Sequence, residues 1–114
     1  MPEQGDIVLI PVPFTDLTSH KRRPVIVVSN DEYNGKSADM IVVAMTSNPA
    51  PSEYGFLIDS TDLERGRLNH PGTVRIDKIY AISQGLIVKT FGKVKTGVLD
   101  RVGRLLQKLV VKSA

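Results

Sequence analysis

Three short apolar runs crowded into the first half of the chain constrain its fold more than any other feature. They are Ile7–Val12, Pro24–Ser29 and Met40–Thr46, none longer than seven residues. Runs of that length match strands, whereas a buried helix needs ten or more residues. Pro24–Ser29 (Pro-Val-Ile-Val-Val-Ser) is apolar without alternation, which predicts a strand buried on both faces. Pro11 inside the first run predicts either an edge position or a strand end. The connections are polar. Phe14–Arg22 is a loop of nine residues, long enough to act as a flap over a site, and Asn30–Ser37 is turn-rich, with Asn34-Gly35 its sharpest signal.

The second half continues the pattern. Pro49-Ala50-Pro51-Ser52 reads as a loop, Gly55–Ile58 as a short strand, and Ser60–His70 as a charged stretch with room for at most one helical turn. Thr61-x-x-Glu64 has the spacing of a capping box, but Gly66 follows at once, so it reads as a turn. Thr73–Ile82 alternates as a half-buried strand, and Leu86–Val94 is another. From Thr96 onward, Val98, Leu99, Val102, Leu105, Leu106, Leu109 and Val110 form a helical stripe. Thr96 is the expected cap, with Asp100 in the first turn and Lys108 and Lys112 near the end, complementing the dipole. A single domain over residues 1–114 follows, mainly β, as a small barrel closed by a C-terminal helix.

Composition narrows the function classes. No apolar run approaches the length of a membrane span, and the first residues lack the basic and apolar regions of a secretory signal. The chain has no cysteine, so disulfides and thiolate metal sites are excluded. A cytoplasmic location is expected. The net charge is +3, but Leu86–Ala114 alone holds seven basic residues and one acid. That asymmetry suits either attraction to a polyanion or a solvated helix face.

Candidate chemistry lies at strand ends. In Thr73-Val74-Arg75-Ile76-Asp77 the period of two puts Arg75 and Asp77 side by side, with Val74 and Ile76 on the core face. A cation beside a carboxylate suits phosphate-ester chemistry, since Arg holds phosphate bidentately and a carboxylate can take a proton. It equally suits a surface salt bridge. Lys21, Arg22 and Arg23 form a cation cluster before Pro24, readable as an anion site or as a basic edge that blocks aggregation. Thr46 ends the third run, where its hydroxyl can bind a phosphate oxygen or tie down a turn. Gly35-Lys36-Ser37 mimics the end of a phosphate loop, but position 30 is Asn where the loop needs Gly. His20 and His70 stand alone, without metal-ligand spacing, and no metal site is expected.

Taken together, Arg23-Pro24-Val25 opening the second run, Val43-Ala44-Met45-Thr46-Ser47 closing the third, and Val74-Arg75-Ile76-Asp77-Lys78-Ile79 resemble the MazF/PemK/Kid family of toxins. The resemblance spans most of residues 5–94 and the helix beyond. It implies an SH3-like β-barrel of the PemK/CcdB type with a C-terminal α-helix. It also implies a metal-independent, sequence-specific endoribonuclease of a type II toxin–antitoxin system, acting on single-stranded RNA. The products would be a 2′,3′-cyclic phosphate and a 5′-hydroxyl, and no cofactor is implied. By this resemblance Arg23 and Thr46 are catalytic, as are Arg75 and Asp77 by the Kid-type motif. Arg23 would stabilise the phosphate and transfer a proton, Thr46 would donate to a phosphate oxygen, Arg75 would be a second cation and Asp77 a base. The surrounding RNA-binding set is Ser19, His20, Lys21, Arg22, Ser47, Asn48, Thr73, Lys78 and Tyr80. Implied partners are a second copy of the chain and an acidic, partly disordered antitoxin.

Two positions depart from the family pattern. His20 stands only three residues before Arg23, nearer than the first-loop His of Kid-like members, and Tyr80 stands where many relatives carry Arg. Phe14, Tyr33, Tyr54 and Tyr80 are the available stacking surfaces or, equally, core aromatics. Tyr80 keeps a second reading in play, a catalytically silent binding module on the same fold. A gyrase poison of the CcdB type would need a C-terminal Trp-Gly-Ile, whereas this chain ends Val-Lys-Ser-Ala.

Overall fold

The computed structural model describes residues 1–11, 22–48 and 52–113. Among these, seven strands form one antiparallel sheet: β1 (Asp6–Pro11), β2 (Arg22–Val27), β3 (Asp39–Thr46), β4 (Gly55–Ile58), β5 (Leu63–Gly66), β6 (Gly72–Ser83) and β7 (Lys89–Val94). Their order across the sheet is β4-β6-β3-β2-β1-β7-β5. The sheet curls into a half-barrel, and α2 (Thr96–Val110) packs against it. A short helix, α1 (Asp31–Lys36), links β2 to β3.

The three early runs are β1, β2 and β3, and they are the middle of the sheet. Both faces of these strands are buried. Ile7, Ile26, Val43 and Met45 enter a first core with Val74, Ile76, Phe56 and the helix residues Val98 and Val102. Val8, Ile10, Val25, Val27, Met40 and Val42 form a second core with Ile82. The unbroken apolar pattern of β2 is thereby explained. β1 lies between β2 and β7, so Pro11 marks a strand end and not an edge. The same topology removes the edge reading of the basic cluster, because Arg22 and Arg23 open an interior strand.

Other expectations need correction. Asn30–Ser37 is not a turn but α1 with its two flanking caps. The Asn30 side chain accepts from the Tyr33 N–H at 2.8 Å and so starts a helix that Asp31 and Glu32 favour at its N-terminus. The buried Asn34 side chain then donates to the Ser29 carbonyl, anchoring the residue that looked like a turn. Within 60–70, the single turn is Ser60–Asp62, and its capping box joins Asp59 and Asp62, not Thr61 and Glu64. Strand β5 follows it and was not expected. In the Leu86–Val94 run the first residues complete a tight turn, and the strand starts at Lys89. Helix α2 has Lys95 at its cap position with no side-chain bond, Thr96 is its first residue, and Asp100 lies beyond the first turn. Its stripe is otherwise as expected, except that Val110 is exposed.

Two glycines are required by backbone conformation. Gly5 (φ +95°) receives the Val94 N–H and donates to the Val27 carbonyl, joining β7 to β2 at the start of β1. Gly66 (φ +84°) lies so close to β7 that a Cβ there would meet the Phe91 carbonyl oxygen at 2.3 Å. Gly66→Ala should therefore destabilise the fold by about 1–3 kcal/mol, the cost of a strained backbone position, read as a lower urea midpoint at constant slope. An unchanged midpoint would show that the β5 edge does not contribute to cooperative stability.

Candidate active site

The strand register gathers the candidate residues. Thr46 pairs with Thr73 and Ala44 with Arg75 across β3 and β6. On the other side Val25 pairs with Ala44, and continuing that register by two residues sets Arg23 opposite Thr46. Paired residues on neighbouring strands share a face, so Thr46 and Thr73 form a row with Arg75 one step along β6, and Arg23 extends it on the same face of β2, two residues past the last β2–β3 pair. The face is that of the second core, since Arg23 alternates with Val25 and Val27. Arg23 is exposed, Thr46 half-buried and Thr73 buried.

A break in pairing shapes the other end of the site. Val43 pairs with Ile79 and Ala44 with Arg75, leaving Ile76, Asp77 and Lys78 without partners on β3. There β6 bends, held by the Ile76 N–H donating to the Tyr54 carbonyl at 2.8 Å. The bend leaves Asp77 beside Arg75 in a two-point contact. Arg75 Nε donates to Oδ1 at 3.0 Å and Nη2 to Oδ2 at 2.8 Å. The hydrogen bonds from Arg75 hold the Asp77 carboxyl below its ordinary pKa, against a smaller opposing effect of desolvation, and the carboxylate in turn raises that of Arg75. Thr46 Oγ1 accepts from the Asn48 N–H at 3.2 Å, so it does tie a turn. Its own hydroxyl proton is left to donate.

The remaining expected residues divide. Ser47, Asn48 and Lys78 are exposed near this face, and Arg22 is exposed at the first position of β2. Tyr80 pairs with Val42 and packs on the second core, so its ring is half-buried. Tyr54 packs on the first core under Lys108, leaving Tyr33 as an exposed ring away from the row. Ser19, His20, Lys21 and Phe14, with the expected flap, lie outside the described residues, as do residues 49–51. Among the described residues no three His, Asp or Glu side chains gather closely enough to hold a metal ion, and no helix is long and apolar enough to cross a membrane.

Comparison with known proteins identifies the lineage. The model of the PemK-like, MazF-like toxins of type II toxin–antitoxin systems matches residues 3–110. The chain belongs to the PemK/MazF toxin family. No curated protein matches it. A mycobacterial endoribonuclease solved with its cognate antitoxin is similar in structure, with a TM-score of 0.78 and 19% identity over 100% of both chains. A MazE–MazF complex from Deinococcus radiodurans gives 0.78 and 23% identity over 98% of each chain. The Mycobacterium tuberculosis toxin MazF-mt6 gives 0.73 and 14% identity over 90% of this chain and 93% of that one. At these identities the likeness establishes a shared fold, the curled sheet with its terminal helix.

Sequence reasoning missed one part of this toxin's surface. A cleft of about 470 Å³ opens at the mouth of the first core, between the ends of β1, β2 and β3, the 67–72 segment and β7. Thr46 and Ser47 line it, so it adjoins the row, but its floor belongs to the opposite face of the sheet. Among its lining residues, Arg67 and Asn69 belong to no motif, His70 is weighed in the sequence only as a metal ligand, and Lys89 only as part of the basic C-terminal stretch. One signal was present: no acid occurs between Glu64 and Asp77, a stretch holding three Arg and one His.

The Arg75–Asp77 pair makes a pH prediction. A carboxyl whose folded pKa is lowered contributes stability above its unfolded pKa, and that contribution is lost as pH falls through the folded value. Carboxyl NMR should place Asp77 below an ordinary aspartate, and Arg75→Ala should return it to the ordinary range. An Asp77 that titrates normally in the parent protein would contradict the two-point contact.

Proposed function

We propose that the protein is a sequence-specific endoribonuclease of a type II toxin–antitoxin system. It would cut single-stranded RNA without a metal, leaving 2′,3′-cyclic phosphate and 5′-hydroxyl ends. The observation that carries this reading is the row of Arg23, Thr46 and Thr73 with Arg75 beside it, in a chain of this family. In the reaction the 2′-oxygen attacks the adjacent phosphorus, its proton passes to a base, and the P–O5′ bond breaks as the leaving oxygen gains a proton. Charge builds on the non-bridging oxygens, where preorganised donors lower the barrier. Arg23 supplies a cation at that point, and the Thr46 hydroxyl donates to a phosphate oxygen. Arg75 is oriented by Asp77 and donates through the nitrogens that the carboxylate leaves unused. A guanidinium carries its charge permanently in proteins, so the role of Arg23 is electrostatic first.

Asp77 is better suited to hold Arg75 than to serve as base, because a carboxylate with lowered pKa takes up a proton less readily. We also propose that the chain is one domain that works as a homodimer in the cytoplasm, restrained by an acidic antitoxin that folds on binding. Light scattering at the 12.5 kDa monomer mass would count against the dimer.

The direct test incubates the protein with mixed single-stranded RNA in EDTA and maps both ends of each fragment. Cutting should persist, and Arg23→Ala or Thr46→Ala should lower the single-turnover rate roughly 10²–10³-fold, as loss of an oxyanion donor does. A strict need for Mg²⁺ with 5′-phosphate ends would refute the mechanism, and undiminished cutting by both variants would refute the assignment. RNA binding without cutting would leave the silent module.

Asp77→Asn separates orientation from base catalysis. Asn keeps the shape but loses the charge-assisted pair, so an orienting role predicts a modest loss matched by Arg75→Lys. A thousandfold fall with intact RNA binding would instead make Asp77 the base.

A further inference from the structure

We propose that the cleft at the mouth of the first core is a specificity subsite for one unstacked nucleotide beside the scissile phosphate. Its base would lie on Phe91 and Leu68 and be read by Asn69. The inference rests on the ribonuclease reading above and adds a second surface to it.

Shape and lining argue for a nucleotide. The cleft has the size of a small-molecule site, at about 470 Å³. Its apolar lining is Leu9, Pro24, Met45, Leu68 and Phe91, and Phe91 is half-buried and packed against the first core. An aromatic ring lining an open cleft can serve as a stacking platform, and every base has a face to lay on it. The lining also carries exposed Arg67, His70 and Lys89, and no lining residue is acidic. Such a lining draws in a polyanion.

The amide of Asn69 decides between partners. No side-chain hydrogen bond or ion pair engages Asn69, Arg67, His70 or Lys89 among the described residues. An amide offers donors and an acceptor together, matching the edge of an unpaired base. The carboxylates of an acidic peptide only accept, and although its main chain can pair with an amide, its acidic side chains offer no aromatic face to the Phe91 ring. Thr46 connects the two surfaces. It lines the cleft and also stands in the row that would hold the scissile phosphate. A strand of RNA crossing the end of β3 therefore reaches both, and the nucleotide in the cleft neighbours the one being cut.

The experiment maps cut sites on a random-sequence RNA pool for the parent protein and for Asn69→Asp, Lys89→Gln and Phe91→Leu. Binding of a 2′-deoxy oligonucleotide and of poly-glutamate is measured alongside by fluorescence anisotropy. Asn69→Asp should weaken base preference at a single position next to the cut by roughly tenfold, as loss of one hydrogen-bonded base contact does, with preferences elsewhere retained. Lys89→Gln should weaken oligonucleotide binding for all sequences and flatten its salt dependence. Asn69 and Lys89 are both exposed, so these two variants remain informative if Phe91→Leu fails to fold. A parent that cuts RNA while Asn69→Asp and Lys89→Gln leave every preference and affinity unchanged overturns the subsite and spares the ribonuclease reading. A parent that binds oligonucleotide through these residues but never cuts RNA overturns the ribonuclease reading, and with it the placement beside a scissile phosphate, while keeping the cleft as a nucleotide-binding surface. Unchanged RNA behaviour with lost poly-glutamate binding assigns the cleft to an acidic peptide and overturns the proposal.

Discussion

Burial on both faces of β1, β2 and β3 is the constraint on which the rest of the molecule depends. Because side chains alternate along a strand, a slip of one residue would exchange the two faces. Here that exchange would move Ile26 out of the first core and push Val25 and Val27 into it, disturbing two cores at once. Completely buried aliphatic side chains are worth about 1.5–3 kcal/mol each against exposure, and Val25, Ile26 and Val27 are all essentially inaccessible. Register in the middle of the sheet is thus held by several such terms rather than by turn chemistry. The polar ends inherit that precision. Arg23 and Thr46 continue strands whose interior residues are fixed in register, so the candidate residues are positioned by aliphatic packing several residues away.

The same logic explains why β6 is bent where it is. Its first part must pair with both β4 and β3, and its last part with β3 alone. Three residues without β3 partners absorb the change, and Ile76 keeps the bend inside the first core while Asp77 and Lys78 face outward. Local disruption of a ladder commonly re-aims a side chain near a functional site. In this case it leaves Asp77 against the guanidinium of Arg75 instead of in a cross-strand pair.

How much was legible in the sequence follows from how locally each feature is encoded. The central strands were readable because their apolar runs are continuous, and the adjacency of Arg75 and Asp77 because a period of two is a property of any strand. Strand β5 was hidden: Leu63-Glu64-Arg65-Gly66 has one apolar residue and three exposed ones, the mark of an edge strand whose pairing is supplied by β7. Helix α1 was hidden because Asn34-Gly35 has turn chemistry, which is overruled by the local Asn30 cap together with hydrogen bonds from Asn34 to Ser29 and to the distant Pro2. Gln84, fifty residues further on, completes that anchor by donating to the carbonyls of Asn34, Ser37 and Asp39. Neither contact can be read from spacing. The row of candidate residues required the register between β2, β3 and β6, which no local pattern contains. The cleft draws on four separate parts of the chain and is more distant still from any sequence motif.

Charge at the site has a consequence for how substrate must be held. Asp77 with its lowered pKa stays ionised through the neutral range, so the Arg75–Asp77 pair carries no net charge there. If the substrate is RNA, as proposed, its attraction to this region would come from the other exposed cations: Arg22 and Arg23 on β2, Lys78 beside the pair, and Arg67 and Lys89 around the cleft. The pair contributes direction instead. Its carboxylate occupies Nε and Nη2 of the guanidinium, and the free Nη1 protons are fixed in orientation by that grip. A phosphate approaching along the open edge meets a donor already in place and need not displace Asp77. Donors held in place before the substrate arrives require little reorganisation as charge develops on the phosphate oxygens, which is the condition under which they accelerate a reaction rather than merely bind. A carboxylate beside a phosphate site, unfavourable by its charge alone, is consistent with catalysis when its partner is an arginine with one edge left open.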